Sequence, residues 1–144
     1  MGIEIRYEGN KLVLPELNCD CGLQHSYPDI DIYIGENLVE RIPEYLAPRS
    51  LGTNVLVVTD NVVYDAAGQA TVSALEEAGY QVNLCLLERK TPLIPNETAL
   101  GEILLAFTDE IEFLLAVGSG VITDLTRYAA HLTGKPFAVV GTAP

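Results

Sequence analysis

A chain of 144 residues, 49% of them hydrophobic and with a formal net charge of −12, suits one domain with a sizeable core. The acidic balance speaks against nucleic acid and against an anionic membrane surface, which both need a dense basic face, but not against a small phosphate held by backbone N–H groups at a helix start. No run approaches the ~20 apolar residues of a transmembrane helix, and the apolar excess points instead to self-association or to a face covered by a further domain.

At the N-terminus, Met1-Gly2-Ile3-Glu4-Ile5 has no basic segment followed by an apolar core, so no signal peptide is expected. Ile3 and Ile5 alternate with polar residues, Glu8-Gly9-Asn10 supplies turn chemistry, and Leu12 and Leu14 alternate again, which predicts a small hairpin. After a looser stretch at 19–25, the strict alternation of Ile30, Ile32 and Ile34 predicts another strand. Leu38, Ile42, Tyr45 and Leu46 form the stripe of an amphipathic helix, in which Pro43 demands a late start or a local kink. From Asn54 the pattern becomes regular. Residues 55–58 read as a strand ending in Thr59-Asp60-Asn61, residues 63–78 as a helix closed by Gly79, and residues 82–87 as the next strand. Asn96 caps a helix whose stripe is Leu100, Ile103, Leu104 and Phe107. The apolar run 113–117 leads through a glycine turn into a helix with Leu125, Tyr128, Ala129 and Leu132 on one face; Gly134 stops it, and 137–140 is the last strand.

Strands alternating with helices imply βαβ units and a parallel sheet, whose inner strands should be unbroken apolar runs, as 55–58 and 113–117 are. Ligands of such sheets bind beyond the carboxyl ends of the strands. Asp60, Gly118 and Thr142 are therefore expected to gather on one edge.

The turn Gly118-Ser119-Gly120-Val121-Ile122-Thr123-Asp124 joins a buried strand to a helix. Its glycines permit close approach of a phosphate, the helix start offers unpaired N–H groups, and Ser119 and Thr123 add hydroxyl donors. It lacks the third glycine of the dinucleotide fingerprint, so spacing alone leaves phosphate binding and a plain tight turn equally open. Asp60 is either a ribose acceptor, in which case it favours NAD by repelling a 2′-phosphate, or an Asx turn or helix cap. Asp124 reads as a capping residue that complements the helix dipole, and Thr142-Ala143-Pro144 as a nicotinamide-side loop or an ordinary one. Cys19, Cys21 and His25 form C-x-C-x3-H, but no fourth zinc ligand is evident, so an ordinary loop is the preferred reading. The odd count of three cysteines fits a reducing cytosol, and the cytoplasm is the expected location. No Ser/His/Asp set and no H-E-x-x-H pair is present, so no catalytic residue and no metal ligand is assigned within this chain.

Together, Leu93-Ile94-Pro95-Asn96-Glu97, the run from Leu114 through Gly118-Ser119-Gly120 to Arg127-Tyr128, Pro136-Phe137 and Thr142-Ala143-Pro144 resemble the glycerol-1-phosphate dehydrogenases. These belong with dehydroquinate synthase and the iron-containing alcohol dehydrogenases. Cys19-Asp20-Cys21-Gly22 with His25, and Ile34-Gly35-Glu36, are similar to the bacterial branch. The fold expected is α/β: a Rossmann-like parallel sheet flanked by helices, with a β-rich N-terminal extension (1–35) packed on the nucleotide-binding domain (36–144). The resemblance implies NAD or NADP as cofactor and reversible hydride transfer between dihydroxyacetone phosphate and sn-glycerol 1-phosphate in the full-length enzyme. It places Asp60 at the adenosine ribose, Gly118, Ser119, Gly120, Val121 and Ile122 at the pyrophosphate, and Thr142, Ala143 and Pro144 on the nicotinamide side. A divalent metal, zinc or nickel, would belong to a C-terminal helical domain beyond this chain, so residues 1–144 alone are expected to be inactive. Two positions depart from the family pattern: Gly141 stands where a proline is usual, and Thr123 where an asparagine is common. Two other readings remain, a dehydroquinate synthase-like NAD-binding domain and a non-catalytic flavodoxin-like module.

Overall fold

A computed structural model describes residues 5–17 and 19–142, so the expectations placed on Ile3, Ala143 and Pro144 lie outside the described residues. The chain divides into two compact units, 1–38 and 39–144.

In the first unit, β1 (Arg6–Glu8) and β2 (Lys11–Val13) pair antiparallel as the predicted hairpin, Glu8 opposite Lys11. Gly9, at φ +61°, takes the first central position of the turn, where a left-handed conformation is needed and a glycine meets it without strain. The strand expected at Ile30, Ile32 and Ile34 does not form. Only a single bridge joins Lys11 to Tyr33, flanked by Leu12 N–H donating to the Ile32 carbonyl and Ile34 N–H donating to that of Asn10. Ile30 and Ile34 stay half exposed, at 49% and 53%. Alternation marks a strand only when one face has something to be buried against, and here that condition fails.

The second unit opens with a 3-10 turn (Val39–Arg41) and α1 (Ile42–Leu46), with Pro43 in the first turn, so the helix starts late, as the proline requires. β3 (Asn54–Asp60) follows, then α2 (Asn61–Val63), a π-helical turn (Tyr64–Gly68) and α3 (Gln69–Glu77). The helix expected over 63–78 is thus interrupted at its start. Its end is as expected: Gly79, at φ +89°, donates to the Glu76 carbonyl and Tyr80 to that of Leu75, a Schellman closure. β4 (Gln81–Leu87), α4 (Glu97–Ala106), β5 (Phe113–Gly118), α5 (Gly120–Thr133) and β6 (Phe137–Gly141) complete the unit. Asn96 caps α4 by accepting the Ala99 N–H at 3.0 Å.

The four long strands form one parallel sheet in the order β4-β3-β5-β6. Its two inner strands are buried on both faces. Val55, Val57, Phe113, Leu115 and Val117 pack with Ile42, Leu46 and Leu75 on one side. Leu56, Val58, Leu114 and Ala116 pack with Ala99, Ile103, Ile122, Leu125 and Ala129 on the other. The buried face of α5 is therefore Ile122, Leu125, Thr126, Ala129 and Ala130. Tyr128 and Leu132, expected on that face, are about half exposed. Thr126 and Ala130, at 0% and 2% exposure, take the buried positions instead.

Candidate functional site

The strand order has a direct consequence for binding. From β3 the chain lays β4 on one side and β5 on the other, so the crossovers leave a crevice between the carboxyl ends of β3 and β5, where parallel sheets hold their ligands. The β3–β5 register ends in the structure with Val58 beside Ala116, and two residues further along lie Asp60 and Gly118. Gly118 pairs with Gly141, and Thr142 N–H donates to the Gly118 carbonyl at 3.3 Å. The three residues expected on one edge are on it.

The turn after β5 is built for close approach. Gly118 has φ +159°, and a Cβ there would stand 2.8 Å from Ile122 Cγ1, so a side chain is excluded by both backbone and neighbour. Ser119 is the extended N-cap of α5, yet its hydroxyl makes no cap hydrogen bond. A Cβ on Gly120 would meet nothing within 4 Å. The opening N–H groups of α5 have no intrahelical acceptors, and the positive end of the helix dipole lies at the same turn. Val121 is half-buried and Ile122 fully buried under the turn. Thr123 differs from expectation as a donor to ligand: its hydroxyl is spent on the Ser119 carbonyl at 3.1 Å, inside the helix. Asp124 does not cap the turn either. It is exposed and pairs with Arg127 at 3.2 Å, one helical turn on.

Asp60 is a helix cap: its Oδ1 accepts the Val63 N–H at 2.8 Å. One carboxylate oxygen is engaged in this way, and Oδ2 is left for another donor. Next to it, Asn61 Oδ1 accepts the Arg89 N–H at 3.0 Å, and Arg89 grips Glu102 of α4 through two hydrogen bonds of 3.1 and 2.8 Å. These contacts fasten the loop after β4 to the same edge, a role of Asn61 and Arg89 that no local pattern announces. Between the start of α4 and the middle of α5 lies a shallow groove lined by Pro95, Asn96, Glu97, Leu100, Asp124, Leu125 and Tyr128. Exposed Tyr128 is thereby accounted for as a groove wall. Elsewhere, in the first unit, Cys21 Sγ lies 2.9 Å from His25 Nε2. No helix among the described residues is long and apolar enough to cross a membrane.

Comparison with known proteins matches residues 33–144 to the family described as iron-containing alcohol dehydrogenase. A glycerol-1-phosphate dehydrogenase of Halalkalibacterium halodurans, named for NAD(P)+, is 36% identical over 129 residues, which cover 88% of this chain and 32% of that protein. A 3-dehydroquinate synthase of Desulforamulus reducens is 32% identical over 122 residues, 81% of this chain and 33% of that protein. Among solved structures, a glycerol dehydrogenase from Schizosaccharomyces pombe superposes with a TM-score of 0.58 at 19% identity, covering 73% of this chain and 25% of that one. A 2-deoxy-scyllo-inosose synthase superposes with a TM-score of 0.54 at 16% identity, covering 74% and 31%. At such identities these structures speak for the fold, a parallel α/β sheet flanked by helices. This chain spans about a third of the length of the curated relatives it matches. By the match over 33–144 and the relatives that share it, the chain belongs to the iron-containing alcohol dehydrogenase family.

Proposed function

We propose that residues 36–144 hold an NAD or NADP dinucleotide for an enzyme that interconverts dihydroxyacetone phosphate and sn-glycerol 1-phosphate. One observation carries the proposal: the uncapped, glycine-flanked start of α5 opens at the switch point of the sheet, level with Asp60. Gly118, Ser119, Gly120, Val121 and Ile122 present backbone N–H groups and the helix dipole to the pyrophosphate. Oδ2 of Asp60 accepts from the adenosine ribose, and Thr142 borders the nicotinamide side. The nicotinamide ring, when bound, gives or takes the hydride. A divalent metal, zinc or nickel, belongs in this reading to further residues outside the chain, as does the phosphorylated three-carbon substrate.

The test uses the open space beyond Gly120. Gly120→Val adds a side chain that meets no protein atom near its Cβ, so stability should hold to within ~0.5 kcal/mol. The same side chain stands where a pyrophosphate would approach, so NADH affinity should fall at least ~10-fold, read by fluorescence titration. Equal NADH affinity in variant and parent would overturn the site, and no saturable binding by the parent would overturn the function.

The synthase relatives favour a second reading, an NAD-holding domain for dehydroquinate synthase chemistry. Both readings share the cofactor site. Turnover by the longer protein on dihydroxyacetone phosphate or on the synthase substrate separates them.

A further inference from the structure

Cys19, Cys21 and His25 read along the sequence as an ordinary loop. In an extended chain, residues two apart such as Cys19 and Cys21 share a face, but nothing brings a residue four further on back to them. The structure does so with a turn through residues 20–23, in which Gly22 takes φ +80°, a left-handed conformation with open space around it. As a result one ligand atom from each of Cys19, Cys21 and His25 lies within 4.8 Å of the other two. All three residues are exposed, so the cluster is not a by-product of core packing.

We propose that these three side chains form a zinc-type metal site with two thiolate sulfurs and one imidazole nitrogen as ligands. In a tetrahedral zinc site with Zn–S ~2.3 Å and Zn–N ~2.0 Å, neighbouring ligand atoms stand ~3.5–3.8 Å apart. In the present cluster the Cys21–His25 edge is 2.9 Å, about 0.6 Å shorter than that spacing, and no edge exceeds 4.8 Å, about 1 Å beyond it. The Cys21–His25 hydrogen bond of 2.9 Å opens slightly to admit the ion, and the loop has the freedom to do so, since all of 19–30 is exposed. The thiolate and imidazole set selects a borderline-soft divalent ion over magnesium or calcium, which seek oxygen. With three protein ligands, the fourth position is open to water, and exposure of the cluster leaves room for it. Cys85 cannot contribute: it is buried in β4, where burial pushes its thiol up to about 11. Binding releases the thiol protons and ties together a stretch that otherwise has no helix or strand among its described residues.

The test is titration of the full chain, its thiols first reduced, with Co2+ and, in competition with a chromophoric chelator, with Zn2+. One equivalent of Co2+ should give sulfur-to-cobalt charge-transfer absorption in the near ultraviolet, a signature that an oxygen or histidine site elsewhere in a longer protein does not produce. Zn2+ affinity should fall by more than ~100-fold in Cys21→Ser and in Cys19→Ser, and markedly in His25→Asn, exceeding the ~10–100-fold typical of outer-shell changes. Since all three positions are exposed, thermal unfolding of the metal-free variants should match the parent, which separates lost ligands from lost fold. Absence of the charge-transfer band, or Zn2+ affinity unchanged in the double Cys19→Ser/Cys21→Ser variant, would overturn the site.

Discussion

At Asp60 one carboxylate oxygen caps α2 through the Val63 N–H at 2.8 Å, so a substitution there has to separate the cap from the charge. Asp60→Asn keeps a cap oxygen and removes the charge that, on the proposed reading, repels a 2′-phosphate. It should leave stability nearly unchanged and raise NADPH affinity relative to NADH, measured by paired titrations; an unchanged ratio would remove Asp60 from the ribose site. On the opposite edge of the sheet, Glu112 accepts the N–H groups of Thr53 and Asn54 at 2.7 and 2.9 Å. These bonds, that of Asn54 first and then that of Thr53, hold its carboxyl below the usual carboxylate range. A depressed folded pKa contributes stability that is present above the ordinary Glu value of ~4.3 and is lost as pH falls through the lowered one. Glu112→Gln should therefore unfold at a lower temperature than the parent near neutrality, with the gap closing in acid; a gap independent of pH would refute this. Neither commitment was legible beforehand. Asp60 could be cap or ligand from its position alone, and the partners of Glu112 lie 58 and 59 residues away.

Elements were legible where burial and local chemistry agree. The apolar runs 55–58 and 113–117 became inner strands, Asn96 capped α4, and Gly79 closed α3. The exceptions share a cause, which is packing that local periodicity does not encode. Alternation at Ile30, Ile32 and Ile34 found no face to cover, and α5 turned its small residues inward in place of Tyr128 and Leu132. The π-helical turn at Tyr64–Gly68 is another case, since nothing in its composition forecasts an extra residue per turn. Two glycines test this view in opposite directions. In mid-α4, Gly101 has nothing within 4 Å of an added Cβ, so Gly101→Ala should stabilise by ~0.4–1 kcal/mol through loss of unfolded-chain freedom. A Cβ on Gly68 would stand 2.9 Å from the Tyr64 ring, so Gly68→Ala should destabilise by ~1–3 kcal/mol unless the ring gives way. Urea denaturation of both variants checks the pair, and the same sign for both would mean that the close packing of the π-helical turn exerts no control.

At the scale of the whole molecule, the family was legible because it rests on many positions at once. Asp60, Gly118 and Thr142 are spread over 82 positions of sequence and meet only because strand order brings the three carboxyl ends to one edge. On the proposed reading, that edge carries only part of the chemistry. Carbonyl reduction needs a hydride, a group to stabilise the developing alkoxide, and a proton donor. The described part of the edge offers backbone N–H groups, the Ser119 and Thr142 hydroxyls, a carboxylate already serving as a cap, and an Arg89 guanidinium already paired with Glu102. Of the chain's two histidines, His25 belongs to the first unit, and exposed His131 is in the last turn of α5, at the far end of the helix from the glycine turn. The relatives named for the dehydrogenase reaction are chains about three times as long. A polypeptide of residues 1–144 should accordingly bind NADH yet oxidise none of it with dihydroxyacetone phosphate, whether zinc or nickel is added or withheld, followed by the loss of NADH absorbance. Metal-stimulated oxidation by that polypeptide would show that these residues already contain the electrophile and the proton donor, and would return His25 and His131 to consideration as catalytic groups.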